Sequence, residues 1–333
     1  MLSPALFVVT YHYVRDAART DFPRLKALPA DEFVRQIEFF RHGYEMATLE
    51  TALGYLNGTY NPTKNLLLLT FDDGLKEHWS FVTPVLKAHG IQGVFFLTTS
   101  LDLVPVHMNH FLMAKLDFDS YRAQFLETVS DSRDCVVDEK TACRQYPYDS
   151  PQVACFKFLI NFVLPSDRRD AALRKLFSRN LGDPDVFARS LYLSWDEARR
   201  MQEAGMVIGG HSHQHRSLEE MTADDLSVDL STCREVLDRN LHPQPIWPFC
   251  YPYGKSHSFG ERTISHLKRL GFYCSFTTEE GVNLSQADLF TLRRFDCKNA
   301  MRDLAPYVAS GSTSSHLKNT DCSVGASYVR EAF

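Results

Sequence analysis

Five apolar runs in this chain end in residues that can do chemistry. ALFVVT leads into Tyr11-His12-Tyr13, LLLLTF into Asp72-Asp73-Gly74, and MVIGG into His211-Ser212-His213-Gln214-His215. Further on, Tyr251-Pro252-Tyr253 precedes Gly254, and the last apolar run closes on Arg293-Arg294-Phe295-Asp296. Asp73, His211 and His215 make a two-histidine, one-carboxylate set. Such a set binds one divalent metal ion, Zn2+ first and Co2+, Mn2+ or Ni2+ as alternatives, and leaves coordination positions open. An ion held this way lowers the pKa of bound water to about 7 and polarises a carbonyl oxygen, which suits hydrolysis. Asp72 cannot easily share that ion, because successive side chains point apart, but it can take a proton from an attacking water. Each motif alone is weak: Asp-Asp-Gly is a common turn, and an H-x-x-x-H pair is unsurprising among 13 histidines. Their occurrence in order, each at a strand end, points to one shared metal site.

The elements that must carry these residues alternate. Strands are expected over 5–11, 65–71, 93–98, at MVIG, and near 246–251, 272–277 and 289–295. Helical periodicity occupies 31–41, the stretch ending before Gly90, 195–204, 223–240 and 258–270. Ser194 with Glu197 forms a capping box, Thr222 and Asp225 can cap the next helix, and Ser258 with Glu261 repeats the box signature. Strands alternating with helices imply a parallel sheet, and about seven strands favour a closed or nearly closed α/β barrel over an open doubly wound sheet. In a parallel barrel the C-terminal strand ends share one face, so all five polar clusters converge. Between about 103 and 190 no strand pattern appears; helix-like segments at 150–164 and 166–178 make this a helical insertion, expected over one end of the barrel. Residues 1–300 then read as one catalytic domain, and 301–333 as a tail with little periodicity.

Composition agrees with a folded enzyme. The 333 residues are 44% hydrophobic and 23% charged, and the net charge of −5 provides no basic field for nucleic acid. Eight cysteines without a C-x-x-C pair read as reduced thiols. No apolar run reaches the length of a transmembrane segment, and the first residues lack the basic region and cleavage site of a signal peptide, so a cytoplasmic location is expected.

Thr70-Phe71-Asp72-Asp73-Gly74 matches a TFDDG signature, and His211-Ser212-x-x-His215 an H-[ST]-x-x-H signature. In both, the chain resembles the polysaccharide deacetylases (carbohydrate esterase family 4, the chitooligosaccharide deacetylase homology domain), over about residues 5–298. The resemblance implies a distorted (β/α) barrel and metal-dependent removal of N-acyl groups from amino sugars. It makes Asp72 the general base and Asp73, His211 and His215 the ligands, and it has Tyr253 offer its backbone N–H to the oxyanion. Two departures stand out. The family's arginine before Pro-Tyr-Gly is missing from Ile246–Tyr251 (IWPFCY), which leaves Arg294, held by Asp296, as its replacement. The family's late Leu-x-x-His is also missing, His316 being the only histidine after Arg294. A branch similar to the poly-N-acetylglucosamine deacetylases carries that histidine on the first strand, and Tyr11-His12 fits, so His12 is the expected general acid. His78, His107, His110 and His257 read as packing or surface residues, His110 being the first of them to mutate, and His213 is expected to point away from the metal.

The expected substrate is an N-acylated amino sugar, with an acetyl or formyl group, presented as a sugar nucleotide, lipid-linked precursor or glycan. Two rivals remain: the same metal chemistry on a non-sugar amide or ester, and a catalytically silent carbohydrate-binding barrel. The insertion is where substrate selectivity is expected. Oligomeric state is not legible.

Overall fold

In the computed structural model, residues 4–129, 137–146 and 149–308 are described. Among the described residues eight strands form one sheet: β1 (Leu6–Tyr11), β2 (Glu45–Met46), β3 (Leu66–Phe71), β4 (Gly93–Leu97), β5 (Val207–Gly210), β6 (Pro248–Cys250), β7 (Cys274–Phe276) and β8 (Phe295–Asp296). Seven lie in the order β7-β6-β5-β4-β3-β1-β8, with β2 beside the start of β3, and every pairing is parallel. The two ends of this path approach each other through one stretch of chain. Ser275 N–H donates to Leu289 O and Thr277 N–H to Leu292 O, and beyond them Val9 pairs with Phe295 and Thr10 with Asp296. The sheet thus curls into the distorted (β/α) barrel.

Side-chain alternation explains why β1 and β3 read as unbroken apolar runs: both faces are covered. Leu6, Val8, Leu66, Leu68, Val94, Phe96, Cys274 and Phe276 form one buried cluster inside the curl, together with the helix Leu49–Leu56. Phe7, Val9, Leu67, Leu69 and Phe95 face outward against helix residues such as Phe33, Ile37, Met201, Leu226 and Leu230. Every strand residue from Leu6 to Val9 and from Leu66 to Leu69 is fully buried.

Helix starts follow local capping chemistry. Ser194 and Glu197 close the expected capping box on Trp195–Glu203, and Thr222 accepts the Asp225 N–H at the start of Ala223–Asn240. The helix expected from Ser258 begins later, at Glu261, with no side-chain cap, because the residue at the cap position is Gly260; Ser258 Oγ donates to Lys255 O. The expected strand at 289–295 is regular only at Phe295–Asp296; its earlier half joins β7 through one isolated bridge, Leu292 to Phe276. The expected tail begins as a helix, Ala300–Val308, with Leu304 buried and Leu304 O accepting from Tyr44 Oη. Residues 309–333, His316 and Cys322 among them, lie outside the described residues, as does Cys135. The other six cysteines are free thiols.

The chain divides into two compact units. Of the described residues, the barrel unit holds Pro4–Asp16, Ala27–Leu101 and Arg189–Val308, and every candidate site residue falls in it. The second unit holds Ala17–Lys26 and Asp102–Ala188. Its described elements are helices, including Pro105–Lys115, Phe118–Thr128, Pro151–Phe158 and Ser166–Leu181, packed partly through edge-to-face contacts of Phe118, Tyr121 and Phe125 with Phe156. Phe22 against Phe111 ties Ala17–Lys26 into this unit. No helix among the described residues is long and apolar enough to cross a membrane.

Candidate active site

Where the interior-facing positions run past the apolar cluster, they turn polar. Thr10, Thr70, Asp72, Cys250 and Arg294 meet there, all but Thr10 essentially inaccessible. Arg294 grips Asp72 with two parallel bonds, Nη1 to Oδ1 at 2.8 Å and Nη2 to Oδ2 at 2.7 Å. Its remaining donors go to Thr277 O at 2.6 Å, Thr70 Oγ1 at 3.1 Å and Cys250 Sγ at 3.1 Å. Thr10 Oγ1 adds a bond to Asp72 Oδ2 at 3.3 Å. Burial pushes the Asp72 carboxyl up, but the Arg294 charge and its hydrogen bonds outweigh burial, and with His12 and His211 they hold the group down to about 2. Asp72 is therefore ionised throughout the working pH range. The same pairing, against the cost of burial, holds the Arg294 guanidinium firmly in its charged form.

Beside this carboxylate stands the second set. Asp73 Oδ1 lies 3.4 Å from His211 Nε2 and 3.3 Å from His215 Nε2, and all three side chains are buried. Donors bound to one tetrahedral ion at about 2.0–2.1 Å are separated by about 3.3–3.4 Å, and these two spacings from Asp73 match that separation. His211 Nδ1 bonds Cys250 O at 2.8 Å, which fixes the tautomer that leaves an Nε2 lone pair for an ion. His211 also faces Asp72 and Cys250, whose donor atoms approach it within 4.8 Å. Asp72 and the Asp73–His211–His215 cluster therefore share a wall.

Backbone strain concentrates here. Among the described residues six non-glycines have positive φ, and four belong to the motifs: Asp73 at 74°, Ser212 at 61°, His215 at 55° and Tyr253 at 63°. Left-handed backbone at a non-glycine costs of order 1–3 kcal/mol and persists where the surroundings over-determine it. The pattern marks these turns as built to aim side chains.

A family model described as polysaccharide deacetylase matches residues 59–132 and 167–275, more than half of the chain. The chain belongs to the polysaccharide deacetylase family. Membership places it among hydrolases that act on amides of carbohydrates. Solved deacetylase structures share its fold. IcaB from Ammonifex degensii superposes with a TM-score of 0.58 at 18% identity, covering 92% of this chain and 98% of that one. The Streptococcus pyogenes deacetylase PplD, in complex with acetate, gives 0.56 at 16% identity, covering 90% and 98%. The BpsB deacetylase domain from Bordetella bronchiseptica gives 0.53 at 15% identity, covering 88% and 95%. No curated protein matches the chain.

In this polysaccharide deacetylase His12 lies beside Asp72. Its Nε2 is 3.7 Å from Asp72 Oδ2, and its side chain is 44% accessible. His78, expected as a packing or surface residue, is buried against the stacked rings of Phe71 and Phe95, and its Nε2–H donates to His12 O at 3.0 Å. Burial lowers the His78 pKa and keeps the ring neutral. Tyr253 sets its ring edge-to-face on His215 at 5.4 Å, while its carbonyl accepts from Thr278 Oγ1. His213 turns to Thr99, with Nδ1 3.0 Å from Oγ1, and not to the ligand set. His107 and His110 belong to the second unit, and His257 is exposed.

Asp296 corrects one expectation. It is exposed and accepts the Lys298 N–H at 2.8 Å, so it shapes the turn after β8 and does not hold Arg294. The partners of Arg294 that motif reading missed are Thr70, Cys250 and the Thr277 carbonyl. Parity along the strands could have found the first: Thr70 shares the inward face of Asp72, two residues on. Cys250 lies in the arginine-free stretch before Pro252, where only its three-dimensional neighbours give it meaning.

Proposed function

We propose that this chain hydrolyses an N-acyl group, acetyl or formyl, from an amino sugar or its glycan, sugar-nucleotide or lipid-linked form. The observation that carries this reading is the Arg294-held Asp72 carboxylate beside a ligand set spaced for a tetrahedral divalent ion. Asp73, His211 and His215 would hold that ion, which supplies a water of lowered pKa and polarisation of the amide carbonyl. Asp72 accepts the proton of the attacking water, and Arg294 keeps it ionised and oriented for that step. The backbone N–H of Tyr253, at the strained turn, donates to the oxygen that becomes negative as the carbonyl carbon turns tetrahedral. His12 delivers a proton to the nitrogen as the C–N bond breaks. The products are a free amino sugar and acetate or formate.

The bidentate Arg294–Asp72 pair supplies, from the residue just before β8, what the motif before Pro252 lacks, which favours an active enzyme over a silent carbohydrate-binding barrel. The test pairs metal analysis with acyl release from N-acetylated and N-formylated amino sugars, polymeric and monomeric, alongside non-sugar amides and esters. Wild type is expected to require Zn2+ or another divalent ion, and Asp72→Asn to lose about 10²–10⁴-fold in kcat. Turnover by Asp72→Asn at the wild-type rate, or full activity without metal, would overturn the mechanism; release only from non-sugar acyl compounds would overturn the substrate class.

A further inference from the structure

The loop that carries the two histidines is held by a group that none of the motifs contains. Asp229, on the helix Ala223–Asn240, is 4% exposed. Its two oxygens each accept one backbone N–H from the residues between the ligands: His213 to Oδ1 at 2.9 Å and Gln214 to Oδ2 at 2.9 Å. On the other side β4 continues into the same loop, with Thr99 N–H donating to Ser212 O at 3.2 Å and Ser100 N–H to His213 O at 3.1 Å. A bond from His215 N–H to Ser212 Oγ closes the turn. Ser212 and His215 both sit in left-handed backbone, a costly conformation that persists where the surroundings over-determine it. A carboxylate is the strongest acceptor for two successive N–H groups.

We propose that Asp229 is a positioning residue that presets the His211–His215 spacing for the metal, so that it governs metal affinity without touching the ion. Removing it frees the two N–H groups and lets the strained turn relax, and His215 then has to be drawn back when the ion binds. This inference rests on the reading that Asp73, His211 and His215 hold a divalent ion.

The test is Zn2+ affinity of metal-stripped wild type and Asp229→Asn, measured by competition with a chromophoric chelator, beside thermal unfolding of both metal-free proteins. Asparagine keeps the shape but turns an amide N–H toward a backbone donor. A 10- to 100-fold weaker Zn2+ affinity in a folded variant is expected. Affinity within twofold of wild type in folded Asp229→Asn overturns this inference and leaves the metal site standing. Wild type that binds no divalent ion overturns both. Should Asp229→Asn fail to fold, hydrogen exchange in metal-free wild type decides. Slow exchange of the His213 and Gln214 amides supports a turn set before metal arrives, and exchange as fast as in an exposed loop overturns it.

Discussion

The buried Asp72–Arg294 pair dominates the electrostatics of the candidate site. Because the folded pKa of Asp72 lies near 2 and the unfolded value near 3.9, the ionised group contributes stability that is present above about pH 4 and lost as pH falls through about 2. Arg294→Met removes the charge that outweighs burial. The carboxyl then rises above its ordinary value, and the acid limb of kcat/KM should move to higher pH. Breaking one partner of a buried pair also costs about 3–5 kcal/mol, readable by urea unfolding at pH 7; an unchanged acid limb in folded Arg294→Met would remove Arg294 from the argument. For His12, whose Nε2 is 3.7 Å from Asp72 and whose ring opens to solvent, His12→Ala should lose about 10²–10⁴-fold in kcat while retaining bound metal. Loss of metal would make His12 a ligand, and unchanged turnover would return the acid role to another group. Both residues were legible in sequence because each sits at the end of an apolar run. The supposed Asp296 partner was not, since the turn after β8 redirects its side chain to Lys298 N–H, and spacing alone carries no sign of that.

At the scale of elements, burial patterns were readable where they were periodic or continuous, and capping boxes where both partners are local. The helix Leu49–Leu56 escaped because five of its eight residues are buried and no clean polar stripe remains. The C-terminal ends of the strands carry a further signal, a change of backbone conformation that composition only hints at through Gly74 and Gly254. Gly254 has φ 64°, and a Cβ there would lie 2.6 Å from the backbone nitrogen of Thr278. That neighbour is main chain, hydrogen-bonded through Thr278 N–H to Gly254 O, and cannot turn aside. Gly254→Ala should therefore shift the adjoining Tyr253 N–H as well as destabilise the turn by more than the roughly 1–3 kcal/mol that left-handed backbone alone costs. The expected result is a lowered kcat with KM and metal content close to wild type. A variant with wild-type kcat would show that the Tyr253 N–H is not poised against the reacting oxygen.

For the whole molecule, the opening and closing segments of the barrel unit have to meet for the site to exist. β1 brings His12 and β8 brings Arg294, and the two strands pair only through Val9–Phe295 and Thr10–Asp296. So short a ladder needs support from outside the sheet, and the helix Ala300–Val308 supplies it. Tyr307 packs on Phe7 of β1 at 4.8 Å, Tyr44 Oη bonds Leu304 O, and Gln36 Nε2 bonds Cys297 O just after β8. The sequence pattern left this segment as tail, because nine residues containing Pro306 offer too little periodicity to declare a helix, and the family match ends at residue 275. Its importance follows from burial: Leu304 is fully enclosed. Leu304→Ala should cost about 2–5 kcal/mol by the transfer and cavity terms. The loss should appear in urea unfolding, with kcat unchanged in the native baseline, since Leu304 touches no catalytic group. A cost below about 1 kcal/mol would mean that burial of Leu304 does not support the β1–β8 ladder.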